Sequence, residues 1–104
     1  MDSEALNEKL VESLKESLVR ILGEANTKAV FYFITRDFGI RLRELSDRVA
    51  DLHGAFARIF GTRASVLLEN AIAKDFCEKL SLKYDPELTL FETVEKTRHH
   101  RTRK

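Results

Sequence analysis

A chain of 104 residues, 43% hydrophobic and 34% charged, is long enough to bury one core, too apolar to stay disordered and too evenly charged for a membrane protein. No run approaches the ~18 consecutive apolar residues of a membrane span, and the acidic start Met1-Asp2-Ser3-Glu4 lacks the basic-then-apolar pattern of a secretory leader, so a cytoplasmic protein with no membrane partner is expected. The net charge of +1 hides an asymmetry: of 18 basic and 17 acidic side chains, residues 98–104 hold four bases and no acid.

The first predicted element runs over residues 3–22. Leu6, Leu10, Val11, Leu14, Leu18, Ile21 and Leu22 recur at helical spacing and span an arc of roughly 160° at about 100° per residue. Ser3 suits the N-cap and Gly23 the stop. A surface helix needs an apolar stripe of only about 100° to cover a core, so the surplus predicts a second neighbour. A homodimer is expected, in which a twofold partner brings the same face against Leu10, Leu14 and Leu18.

Residues 24–38 contain the one run that would also suit a buried strand, Ala29-Val30-Phe31-Tyr32-Phe33-Ile34. No turn residue interrupts the stretch between Gly23 and Gly39, and the rest of the chain offers no partner strands. The reading is therefore a helix buried on most sides, with Glu24, Lys28 and Thr35 as its polar strip. Phe38-Gly39-Ile40 reads as its C-terminus, glycine taking the left-handed position and Ile40 folding back onto the helix.

Leu42, Leu45, Val49, Leu52, Phe56, Ile59 and Phe60 continue at spacings of three and four up to Gly61, as a short and a longer helix jointed within residues 46–51. Thr62 is placed to cap the next helix, over residues 63–82, whose Ala64, Leu67, Leu68, Ala71, Ile72, Phe76 and Leu80 form a wide apolar face. Asp85-Pro86-Glu87 offers an N-cap, a first-turn proline and an acid, which predicts a last helix to about Thr97 docked by Leu88, Leu90, Phe91 and Val94, with an extended strap as the alternative. Disorder is expected from Arg98 onward. The sum is an all-α single-domain bundle of four or five helices over residues 1–97, centred on the helices at 23–38 and 63–80, with a basic tail at 98–104.

Candidate chemistry is sparse. The lone Cys77 rules out an internal disulfide and lies on an apolar face, as a structural thiol does. His53 sits at the edge of an apolar face and suits half-buried packing. His99 and His100 are adjacent and point different ways on a helix, so the histidines offer no pair at metal-ligand spacing, and Asp47 and Asp51, four apart, lie among Arg43, Arg48 and Leu52 as on a solvated charged face. Glycines 23, 39, 54 and 61 are too scattered for a phosphate loop. No catalytic residue, metal or cofactor is assigned, and a non-enzymatic role follows. Seven Phe suit a core better than a ligand pocket along residues 31–33.

Nucleic acid is the alternative partner. Residues 34–40 with Leu45 have the turn glycine and flanking apolar residues of a helix-turn-helix, and Arg36, Arg41, Arg43 and Arg48 surround it. The pattern breaks at Arg48, where the motif wants a core side chain. Arg98, Arg101, Arg103 and Lys104 could neutralise phosphates, but no aromatic residue is interleaved to stack on bases.

Leu22-Gly23-Glu24, Phe31-Tyr32-Phe33, Phe38-Gly39-Ile40, Ile59-Phe60-Gly61 and Leu67-Leu68-Glu69 together resemble a small archaeal helical domain of unknown function, one that also serves as an output module of archaeal receiver-domain proteins. The resemblance covers roughly residues 22–82 and carries no catalytic residues. It implies a regulatory or interaction role with an unidentified protein partner. A chain without Gln and with ten Arg beside three Asn has the thermolabile-poor bias of thermophile proteins, which does not contradict that setting.

Overall fold

The structure, a computed structural model, describes the backbone of residues 2–102 and the side chains of residues 2–98. Among the described residues, five α-helices and one 3-10 turn make up an all-α bundle: α1 (Ser3–Leu22), α2 (Glu24–Arg36), a 3-10 segment (Leu42–Asp47), α3 (Val49–Phe60), α4 (Thr62–Lys79) and α5 (Leu90–Thr102). No helix among the described residues is long and apolar enough to cross a membrane.

α1 starts one residue earlier than its sequence suggests. Asp2, not Ser3, is the cap, its Oδ1 accepting from the Ala5 N–H at 2.8 Å. Leu6, Leu10, Leu14 and Leu18, four residues apart, are all completely buried. The leucines expected to face a second copy, Leu10, Leu14 and Leu18, are thus core residues of the single chain. α1 runs between α4, the 3-10 segment and α2, so the neighbour its wide apolar face required is supplied from within. Ile21, in the last turn of the helix, is left half exposed.

The expected centre of the fold shifts accordingly. α4 is central as read, packing on α1, α3 and α5 and burying Leu68, Ile72, Ala73, Phe76 and Cys77. α2 is not central: it lies mainly on α1 and buries only Thr27, Val30 and Ile34. Its end follows the expected geometry. Gly39 has φ 66°, Ile40 is fully buried, and the Ile40 N–H donates to the Ile34 carbonyl at 2.9 Å.

The 3-10 segment and α3 meet at Arg48, inside the predicted joint. Asn7 on α1 clasps the segment: its Nδ2 donates to the Leu42 carbonyl at 2.9 Å and its Oδ1 accepts from the Ser46 N–H at 2.7 Å. α4 begins at Thr62 without a side-chain cap. It ends with Ser81 at φ 57° in the position that usually holds glycine, the Leu82 N–H donating to the Cys77 carbonyl at 2.8 Å.

α5 corrects the chain's last third. Asp85 makes a turn, its Oδ1 accepting from the Glu87 N–H at 3.0 Å, and the helix begins only at Leu90. Thr89 is the cap, in a reciprocal capping box: Thr89 Oγ1 accepts from the Glu92 N–H at 3.0 Å and Glu92 Oε1 from the Thr89 N–H at 2.9 Å. Leu90 and Val94 dock it. Phe91, expected to dock as well, is exposed. The helix continues through Thr102 rather than ending near Thr97 in a disordered tail. Arg98 anchors that extension, donating to Asp47 and lying 3.4 Å from Glu95.

Candidate interaction surface and binding cleft

On α2 the polar strip of Glu24, Lys28 and Thr35 runs along one flank, roughly 100° from the buried stripe at about 100° per residue. The face opposite the core holds Ala25, Ala29, Tyr32 and Arg36, with Phe33 at its edge, all exposed, Tyr32 to 54% and Phe33 to 44%. A surface helix ordinarily turns its charged residues to that side. The two rings meet edge to face at 6.3 Å between centroids, and the Arg36 guanidinium lies 5.2 Å from the Tyr32 ring centre while donating to the Tyr32 hydroxyl. Within the Phe31–Phe33 stretch Tyr32 and Phe33 are exposed and Phe31 packs on the core.

A cleft of about 250 Å³ forms elsewhere, between α3, α4 and the start of α5. Its walls are Ala50, Val66, Leu90 and Phe91, and its polar groups are His53, Glu69, Asn70 and Thr89. His53 Nδ1 stands 2.8 Å from Glu69 Oε2. The Glu69 side chain is only 8% exposed, whereas that of His53 is 56% exposed, so the histidine read as half-buried packing is an outward group tied to a buried acid. Glu69 escaped the sequence reading. The available signal was an acid inside the buried stripe of α4, between Ser65 and Ile72.

Cys77 is buried as expected, and burial raises its thiol above the usual value, partly offset by Lys96. Among the described residues no group of three His, Cys, Asp or Glu comes together as a metal site would require.

The arginines proposed for nucleic acid do not converge as free cations. Arg36 lies 3.9 Å from Asp37. Arg48 bonds Asp51 at 2.5 Å and the Gly39 carbonyl at 3.2 Å, and Arg98 is held by Asp47. Arg41 and Arg43 are exposed beside Glu44. Arg101 belongs to the α5 backbone, its side chain lying outside the described set with those of His99 and His100, and Arg103 and Lys104 lie outside the described residues. Comparison with family models, curated proteins and solved structures finds no match to this chain.

Proposed function

We propose that this chain is a non-enzymatic helical interaction module that self-associates through the outward face of α2. The observation that carries this reading is the exposed group Ala25, Ala29, Tyr32 and Phe33 on the outer side of α2, where a monomer's surface helix is mostly charged and where Arg36, lying over Tyr32, stands beside them. The face is self-complementary along its length: small residues occupy its first half, aromatic residues its second. An antiparallel twofold pairing sets the rings of one copy over the alanines of the other, and brings Glu24 at the start of one helix towards Arg36 at the end of its partner. The resemblance of residues 22–82 to archaeal output domains supports a regulatory setting. The nucleic-acid alternative has less support, because its described arginines are interleaved with carboxylates.

Size exclusion with light scattering tests the reading. The expected mass is about twice the chain's 12.0 kDa, falling to the monomer in Ala29→Glu, which puts a charge in the middle of the contact at an exposed position and leaves the core intact. A wild-type monomer at hundreds of micromolar, or a dimer that tolerates Ala29→Glu, overturns it.

A further inference from the structure

The cleft between α3, α4 and α5 stands apart from the α2 face and needs its own account. Burying a carboxylate is costly unless its oxygens find donors, and an ionised carboxylate offers about four acceptor sites. His53 meets Oε2 of Glu69 at 2.8 Å; among the described residues the Glu69 carboxylate makes no second hydrogen bond, yet it forms part of the cleft wall. Around it the lining is hydrocarbon: Ala50, Val66, Leu90 and Phe91. Phe91 remains exposed although α5 is otherwise docked by Leu90 and Val94. At about 250 Å³ the space is at the small end of ligand pockets, which are mostly apolar with a few placed polar groups.

The geometry points to a binding site for a small organic amine, whose ammonium donates to Glu69 while its hydrocarbon body lies between Val66, Leu90 and Phe91. Charge selects this class. A carboxylate ligand would meet the Glu69 anion at close range, and a neutral ligand of the same shape would forgo the charge-assisted bond that a buried acid offers. The Asn70 amide, in the same wall, supplies a further polar partner to a ligand nitrogen.

Phenethylamine and its neutral analogue 2-phenylethanol are suitable probes, titrated into the ¹⁵N-labelled full chain and followed by amide chemical shifts. Saturable shifts at Ala50, His53, Val66, Asn70 and Phe91 are expected with the amine, and about tenfold weaker binding with the alcohol. Glu69→Gln should bring the amine down to the alcohol's level. Ala50→Phe, at an exposed wall position, should block both probes and leave Glu69 and His53 in place. Equal binding of the two probes to the wild type overturns the proposal. So do shifts scattered away from the cleft, or amine binding that survives Ala50→Phe.

Discussion

α1 and α2 invite a comparison, because by apolar content alone α2 is the better candidate for the centre of the bundle. α2 carries Val30, Phe31, Tyr32, Phe33 and Ile34 in succession, yet only Val30 and Ile34 of these are buried; about a third of α1 is charged, yet its four spaced leucines are wholly enclosed. What separates them is the supply of facing surface. α4 and the 3-10 segment both present their apolar sides to α1, while α2 has α1 beneath it and solvent above. The amount of apolar surface on a helix therefore says how much partner it needs, and not whether that partner belongs to the same chain.

The sharpest way to break this comparison is to truncate one residue of each kind. Leu14→Ala should cost about 2–5 kcal/mol, the range for emptying a fully buried leucine site. Phe33→Ala should cost less than about 1 kcal/mol, because much of that ring already faces water. Urea unfolding in an Ala29→Glu background keeps association out of both values. A Phe33 loss as large as that at Leu14 would mean that α2 is covered within the chain.

A second difference concerns how each helix is tied down. α1 holds the 3-10 segment by the paired hydrogen bonds of Asn7, whereas the one long bond at the α2 turn comes from Arg48 to the Gly39 carbonyl. Asn7→Ala would leave the Leu42 carbonyl and Ser46 N–H without partners in a buried setting, for an expected loss of about 2 kcal/mol by urea unfolding. Local opening should follow: amide exchange at Ser46 should accelerate far more than at Ile72, in the core of α4. Uniform acceleration would show that the clasp only adds to global stability.

The helices and their stops were legible because they are local. Gly23, Gly39 and Gly61, each at positive φ, and the spacing of Leu6 to Leu18 or Leu68 to Phe76 depend on residues a turn apart. What was illegible depended on residues far away in the chain. Asn7 reaches partners 35 and 39 positions on, and Glu69 pairs with His53 on a different helix. The start of α5 was a contest between two local signals: Asp85-Pro86 supplied the more familiar one, but Thr89 and Glu92 satisfy each other's N–H groups reciprocally, and that arrangement begins the helix. The α2 face was misread for the opposite reason. Hydrophobicity alone points its aromatic run to the core, although Glu24, Lys28 and Thr35 share one flank and leave Arg36 as the charge beside Ala25, Ala29 and Tyr32 on the far side.

The smallest effect lies at the polar edge of the α1–α4 contact, which α2 has no counterpart for. Lys79 Nζ donates to Glu16 Oε1 at 2.7 Å, and Asp75 receives Ser17 and Arg20 close by. The hydrogen bond to Glu16 raises the Lys79 ammonium above its usual value of 10.5, against the opposing effect of burial. A folded-state value above the unfolded one means that the folded chain holds this proton more tightly. The contribution is therefore complete below the unfolded value and is lost as pH rises through the folded one. Cys77, its thiol also raised, weakens the fold in the same alkaline window, so wild type alone cannot isolate the lysine. The difference in urea midpoint between wild type and Lys79→Met can, since Cys77 is common to both. That difference should be constant from about pH 7 to 9 and shrink above roughly pH 10.5. It should also be small, because Glu16 is mostly exposed and screened by solvent. A gap that persists unchanged to about pH 11.5 would assign the role of Lys79 to the packing of its methylene stem against α1, and the α1–α4 contact would then be apolar to its edge.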